Sequence, residues 1–97
     1  MKHSVLLLTL LAPLSAHASQ SLAQQKNCMS CHAVERKVVG PSFQDIAKRY
    51  GGKGAEAQLE QKIVKGSAGA WGPVPMPPSN ISPVDAKALT QWILQQG

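Results

Sequence analysis

Apolar residues recur three and four positions apart along much of this chain, which is the spacing of one face of an α-helix. Three such faces are formed by Phe43, Ile46, Ala47 and Tyr50, by Ala55, Leu59 and Ile63, and by Val84, Ala88, Leu89, Trp92 and Ile93. No segment alternates polar and apolar residues for long enough to indicate a β-strand. The pattern therefore predicts an all-α fold.

Glycines and capping residues set the ends of these predicted helices. Glycine follows each of the first two faces, so helices are predicted over 43–50 and 55–65. Ser82 and Pro83 precede the third face, a pair typical of an N-cap and the first helical residue. A further helix is therefore predicted to begin at Pro83 and to run toward the C-terminus.

An earlier helix is indicated by Ser21-Leu22-Ala23-Gln24, which has the Ser-x-x-Gln form of a capping box. We expect this helix to begin there and to carry Cys28 near its C-terminal end. Between the last two helices lies the segment 66–80, GSAGAWGPVPMPPSN, whose glycines and prolines exclude it from the interior of a helix or sheet. A loop of this length in a small domain is usually functional or disordered.

The first residues, MKHSVLLLTLLAPLSAHA, have the features of an export signal. Lys2 supplies a positive charge, an apolar run follows it, and Ala16-His17-Ala18 has the small-x-small form of a cleavage site. The apolar run is shorter than the roughly 20 residues that span a membrane as a helix, which disfavours an uncleaved anchor. The sequence therefore predicts a signal peptide over 1–18, which is cleaved, and one exported domain over 19–97.

The exported domain would be small and modestly basic. It would keep 79 of the 97 residues and a net charge of +4, because Lys2 is the one charged residue removed from a chain of formal charge +5. A domain of this size is at the margin of what one apolar core stabilises, so an additional cross-link is expected. Nucleic-acid binding is disfavoured, because the lysines are scattered and no aromatic residues lie among them.

The strongest chemical signal is the segment NCMSCHAVERKVVGP, in which Cys28 and Cys31 are three apart and His32 follows at once. Residues three and four apart share a face of a helical turn, so the three side chains project to one side. Two thiols can then add to the two vinyl groups of a haem while the imidazole reaches its iron. The C-x-x-C-H pattern is typical of covalent c-type haem attachment.

Three other interpretations of the cysteine pair are weaker. A Cys28–Cys31 disulfide could form in an oxidising compartment, which would leave a disulfide-stapled binding module without haem. A thioredoxin-like redox pair shares the spacing but belongs in a βαβ context, which the sequence lacks. A zinc site needs four ligands, and the segment 19–97 offers two cysteines and one histidine.

A second ligand for the iron is sought among the remaining soft side chains. His32 is the one histidine of 19–97, so a second imidazole from this domain is excluded. Met29 lies inside the attachment segment and cannot reach the opposite face of the haem. Met76 stands in WGPVPMPP, whose prolines fix φ and stiffen the backbone. In an ordinary helix Met76 would be interpreted as core filling, but in this loop it is the predicted second ligand.

These residues resemble the class I monohaem cytochromes c of bacteria, most closely the periplasmic cytochrome c-551 group. The resemblance covers essentially all of 19–97 and is most specific in CMSCHAVERKVVGP, GSAGAWGPVPMPP and the last helix. It implies four or five helices around one covalently bound haem c, with His32 and Met76 as axial ligands. It also implies that the Pro41 carbonyl holds the second ring nitrogen of His32 and that the Trp71 indole N–H reaches a haem propionate.

Two positions depart from the pattern of that family. Lys62 stands where relatives often have an arginine near the propionates, and it offers a point charge in place of a bidentate fork. Ser79 directly follows PMPP, where relatives often have an asparagine that donates to the methionine sulfur, and Asn80 stands one place later. Lys62 is still predicted to bind the haem, and the donor to Met76 is left open between Ser79 and Asn80.

The ligand set implies electron transfer. With both axial positions filled, oxygen and peroxide have no open site, and a neutral thioether favours ferrous iron and raises the potential. The resemblance implies a soluble, monomeric electron carrier of the periplasm, with no enzymatic activity, that docks by a haem edge ringed with lysines. Expected partners are redox proteins of a respiratory chain, such as nitrite reductase, cytochrome c peroxidase or a copper protein. The alternative is a small haem enzyme with peroxidase activity when Met76 dissociates.

Overall fold

In the computed structural model of the chain, the backbone is described for 14–97 and the side chains for 19–97. Four α-helices follow one another, with a short 3₁₀ helix at Cys28–Ser30: α1 (Leu14–Gln25), α2 (Phe43–Tyr50), α3 (Glu56–Lys65) and α4 (Pro83–Leu94). Over this range no strand forms and the backbone pairs only at two isolated bridges, one of them between Ser67 and Met76. The all-α prediction is therefore confirmed for these residues.

The predicted signal peptide lies outside the residues whose side chains are described, so its cleavage stays a prediction. Within the part of the chain that the structure describes, none of the helices is long and apolar enough to span a membrane.

The helix α2 begins and ends where the sequence predicts. Ser42 caps its N-terminus, since the hydroxyl oxygen accepts a hydrogen bond of 3.0 Å from the backbone N–H of Asp45. The predicted face is buried through Phe43, Ile46 and Ala47. The prediction for α3 differs from the observed helix by one residue at its start.

The helix α1 differs from the prediction at both ends. It begins at Leu14 and not at Ser21, because residues 14–20 include good helix formers and neither glycine nor proline. Within the helix, the Ser21 hydroxyl accepts a hydrogen bond from the Gln25 amide instead of capping an end. Asn27 then adopts a left-handed φ of 62°, so Cys28 lies in the separate 3₁₀ turn and not on α1.

The helix α4 lies at the centre of the core and contacts α1, α2 and α3. Its predicted N-cap is confirmed, because the Ser82 hydroxyl accepts a hydrogen bond of 3.1 Å from Asp85 N–H. Because α1, α2 and α3 pack on different sides of α4, more than one of its faces is buried. The buried residues are Ala86, Leu89, Thr90, Trp92 and Ile93. The predicted apolar stripe was wrong at Val84, which is 77% exposed.

Thr90 gives a prediction about stability. It is fully buried, and its hydroxyl oxygen has no hydrogen-bond partner among the described residues. Thr90→Val keeps the shape and removes this group, so the free energy of unfolding is expected to rise by about 1 kcal/mol. Denaturant unfolding of both holoproteins measures the change. A fall in stability would show that the hydroxyl is satisfied in the folded protein.

Candidate functional site

The helices and the loop between α3 and α4 line an open cleft, and the empty space in it together with the solvent at its mouth is about 1160 Å³. Apolar side chains of three helices reach it, including Ile46 of α2, Leu59 of α3 and Leu89 of α4. The structure brings all seven predicted site residues to this one cleft: Cys28, Cys31, His32, Pro41, Lys62, Trp71 and Met76. They come from segments far apart in the sequence, so the site depends on the complete fold.

The His32 imidazole is held on one edge and on one face. Its Nδ1 lies 2.7 Å from the Pro41 carbonyl oxygen, the contact that the family resemblance implied. A carbonyl can only accept, so Nδ1 carries the proton and Nε2 keeps a lone pair that can bind a metal. The Phe43 ring stacks on the imidazole, with centroids 5.2 Å apart and planes 23° apart. The ring is therefore oriented before any ligand is considered.

Gly40 lets the backbone pass close to that ring. The N–H groups of Val39 and Gly40 both donate to the Cys31 carbonyl, at 3.1 and 2.8 Å, and so fold this segment back onto the attachment turn. A Cβ on Gly40 would lie only 2.6 Å from Cε1 of His32. The glycine therefore allows the approach that brings the Pro41 carbonyl to Nδ1.

Cys28 and Cys31 are half-buried free thiols on the 3₁₀ turn. The N–H groups of Cys31 and His32 both donate to the Cys28 carbonyl, at 3.2 and 2.9 Å, which closes the turn. Burial raises the pKa of the Cys28 thiol, so it is protonated at neutral pH. A redox-active cysteine pair needs a lowered thiol pKa, so this environment disfavours the thioredoxin-like interpretation.

Met76 lies in the proline-rich stretch 73–78, which we call the methionine hoop. The loop 66–80 has defined backbone contacts: Ser67 N–H donates to the Met76 carbonyl at 3.0 Å, and Met76 N–H donates to the Ser67 carbonyl at 2.7 Å. Beyond the hoop, Ser79 N–H donates to the Ile63 carbonyl of α3. These bonds fix the backbone of Met76 against the end of α3. Met29 and Met76 both pack against the core, but Met29 is not among the residues that line the cleft.

Three residues that line the cleft, Tyr50, Lys62 and Trp71, form a cluster with Arg49, which lies over the Trp71 ring; we call these four residues the rim cluster. The Arg49 guanidinium lies 4.4 Å from the Trp71 ring centroid and donates to the Ala70 carbonyl at 2.8 Å. The Lys62 ammonium lies 3.5 Å from the Tyr50 hydroxyl. Arg49 therefore holds Trp71 by a cation–π contact, and Lys62 places a second positive charge on the neighbouring Tyr50.

Phe43 and Arg49 are site residues that the sequence did not reveal. Phe43 was assigned to the apolar face of α2, to which it also belongs, and no local signal marks its stacking on His32. Arg49 lies 21 positions before the carbonyl to which it donates, so the contact exists only in the folded chain.

The cleft fits a covalently attached haem. Two free thiols, an imidazole with one free ring nitrogen and a thioether line a single cavity that is otherwise largely apolar. Thiols can form two covalent links, and imidazole with thioether is a known axial pair for haem iron. The donor set and the largely apolar lining of the cleft therefore suit one group of this kind.

Comparison with known proteins supports this assignment. The chain matches the family model described as Cytochrome c over residues 16–97. Cytochrome c-552 of Hydrogenobacter thermophilus is 53% identical over 78 residues, which cover 79% of this chain and 80% of that protein. Cytochrome c-551 of Pseudomonas aeruginosa is 46% identical over 82 residues, which cover 84% of this chain and 79% of that protein.

A solved structure shows the same fold. Wild-type cytochrome c552 of Nitrosomonas europaea superposes with a TM-score of 0.78 at 51% sequence identity. The match covers 80% of this chain and 99% of that one. The helical fold predicted from the sequence is therefore confirmed.

Proposed function

Because the chain belongs to the cytochrome c family, we propose that it is an electron carrier in which His32 and Met76 are the axial ligands of one haem. It is a class I monohaem cytochrome of the c-551/c-552 type, and its cofactor is covalently bound haem c. The haem, when bound, supplies one-electron chemistry between ferric and ferrous iron. The observation that carries the proposal is that an oriented imidazole and a backbone-fixed thioether line the same cleft.

His32 acts as the first ligand through Nε2. The hydrogen bond from Nδ1 to the Pro41 carbonyl fixes the tautomer and makes the imidazole a stronger donor to a metal. The stacked Phe43 ring restricts rotation of the His32 imidazole about its Cβ–Cγ bond. The ligand therefore keeps one orientation in both oxidation states, which a carrier needs.

Met76 acts as the second ligand, and the hoop keeps it in place. Its thioether is neutral and favours the less charged ferrous state in an apolar cleft. Pro75 and Pro77 flank it and restrict the backbone, so little entropy is gained when the sulfur leaves its place. The two ligands together leave no position for peroxide, which supports a carrier and not an enzyme.

The cysteines hold the cofactor and cross-link the small domain. The Cys28 and Cys31 thiols fit the two links of the C-x-x-C-H pattern and lie on a turn closed by two backbone hydrogen bonds. Both line the cleft together with side chains of α2, α3 and α4. A group joined to this turn would be packed against those helices and would supply the staple that a core of this size requires.

The rim cluster is proposed to meet the propionates. Trp71 offers an indole N–H, Arg49 places a positive charge against the Trp71 ring, and Lys62 places a second one against Tyr50, which itself contacts Trp71. Carboxylates are favoured where such donors and cations meet. Lys62 is half-buried against Tyr50, so its ammonium is partly positioned before a carboxylate approaches.

Docking is proposed at the mouth of the cleft. Val39, Trp71 and Val74 are exposed there, with Lys37 and Lys62 also lining the cleft. Apolar contact with a surrounding positive charge suits brief encounters with acidic redox proteins. Nitrite reductase, a cytochrome c peroxidase and a copper protein are the proposed kinds of partner.

We further propose that residues 1–18 are cleaved on export and that 19–97 is a soluble periplasmic monomer.

The carrier and the enzyme are separated by a direct experiment. Wild-type holoprotein is expected to show one reversible one-electron wave in voltammetry and negligible turnover of peroxide. A peroxidase also needs a distal acid or base to cleave the O–O bond, and 19–97 contains no histidine besides His32. Met76→Ala should gain some turnover because it opens the iron. Appreciable turnover by the wild type at neutral pH would instead support the small haem enzyme.

A further inference from the structure

The residue that ends α3 lies directly against the methionine hoop. Gly66 follows Lys65 with φ 82° and ψ 177°, a backbone conformation that favours glycine. A Cβ on Gly66 would lie 2.6 Å from the Met76 carbonyl oxygen, 3.1 Å from Pro78 N and 3.2 Å from the Pro77 carbonyl carbon. All three are backbone atoms, so none can move aside by rotation of a side chain.

The next residue fixes the same part of the hoop. Ser67 and Met76 exchange two backbone hydrogen bonds, at 3.0 and 2.7 Å. Pro77 and Pro78 follow and stiffen the chain beyond the ligand. A displacement at Gly66 would therefore be passed to Met76 and not absorbed by a flexible loop.

We propose that Gly66 is a positioning residue for Met76, because its missing side chain lets the hoop rest on the end of α3. The inference rests on the proposed role of Met76 as axial ligand. Gly66 is not among the residues that line the cleft, so it acts through the backbone of Met76. The position of the Met76 thioether in the cleft then depends on the close contact between Gly66 and the backbone of the hoop.

Gly69 provides a matched control in the same loop. Its φ is also 82°, so alanine at this position too must adopt a positive φ that L residues rarely take. A Cβ on Gly69, however, would have no heavy atom within 4 Å. Comparing Gly66→Ala with Gly69→Ala therefore tests the contact with the hoop against a positive-φ glycine that lacks it.

Competition with imidazole measures the effect in ferric holoprotein. If Met76 binds more weakly, the iron lacks its second ligand for a larger fraction of the time. The apparent affinity for added imidazole rises in proportion to that fraction. Gly66→Ala is expected to raise this affinity roughly ten- to hundredfold, the range that local backbone strain produces, and to weaken the near-infrared sulfur-to-iron band. Gly69→Ala should keep the band and stay within about threefold of the wild type.

The outcomes separate this inference from the proposed ligation. If Gly66→Ala matches Gly69→Ala in imidazole affinity and in the band, while Met76→Ala loses the band, Gly66 is only a helix terminator. If Met76→Ala keeps the band, the proposed ligand is wrong and the inference falls with it. If Gly66 has a purely structural role, Gly66→Ala should lower the unfolding midpoint and leave the imidazole affinity equal to that of Gly69→Ala.

A second variant covers the case in which Gly66→Ala does not yield folded holoprotein. Ser67→Pro removes the N–H that donates to the Met76 carbonyl and adds no side chain at Gly66. It is expected to raise imidazole affinity in the same direction. Folded Ser67→Pro with wild-type affinity and an unchanged band would overturn the proposal.

Discussion

Met76→Ala is expected to abolish the near-infrared sulfur-to-iron band of the oxidised protein and to lower the reduction potential. The loss should be on the order of 0.1 V or more, a sizeable part of the roughly 0.8 V that axial ligands set in haem proteins. The physical reason is that a neutral thioether stabilises ferrous iron, and water or hydroxide in its place does not. Absorption spectra and a redox titration measure both effects.

Met29→Ala is the control for this experiment. Met29 carries the same thioether and lies within the attachment segment, yet it packs against the core and does not line the cleft. Its replacement should lower stability by the modest amount expected of a half-buried methionine and leave the band and the potential near the wild-type values. If the two variants behaved the other way round, the assignment of the second ligand to the hoop would be wrong.

The parts of the fold that the sequence predicted are those fixed by local contacts. Ser42 and Ser82 cap their own helices through an N–H three residues later, so α2 and α4 begin where the local pattern indicates. The spacing of Cys28, Cys31 and His32 is likewise local, and the structure brings them to one cleft. Their roles toward the haem stay predictions.

The parts that the sequence did not predict depend on distant contacts or on a single dihedral angle. The predicted start of α1 at Ser21 was wrong, because the capping-box pattern there competes with a longer run of helix-favouring residues. The end of α1 follows from the left-handed Asn27, a conformation that asparagine adopts more readily than most residues, and the prediction that α1 carries Cys28 did not include this stop signal. Val84 fits the spacing of the α4 stripe but lies outside the surface that the neighbouring helices cover.

The candidate site shows the same division. Met76 could be identified from its flanking prolines and from the lack of a second histidine in 19–97. The residues that support Met76 could not be identified from the sequence, because Gly66 and Ser67 contact the hoop only after α3 and the loop have folded. The stacking of Arg49 on Trp71 also joins positions that are remote in sequence. Candidate ligands were therefore easier to name from the sequence than the contacts that fix their positions, and the role of Met76 as a ligand stays a proposal.

Replacing both Cys28 and Cys31 by alanine is expected to have the largest effect on the holoprotein. In the wild type, the haem should stay with the chain through acid-acetone extraction, and the mass should exceed that of the polypeptide by one haem. The double variant should release all of its haem into the extract. Cys28→Ala and Cys31→Ala alone should each keep haem on the chain, because one thioether bond is left.

The stability of the double variant is expected to fall as well. Without the group that fills it, the cleft leaves apolar side chains of α2, α3 and α4 without packing partners. A domain of this size has a free energy of unfolding of only about 0.05–0.15 kcal/mol per residue, so the apoprotein should be largely unfolded by circular dichroism. Ser30→Ala is the matched control, since Ser30 is exposed on the same turn between the two cysteines. Free haem in the extract of the wild type, or a mass equal to that of a disulfide-linked polypeptide, would contradict covalent attachment and return the cysteines to a structural role.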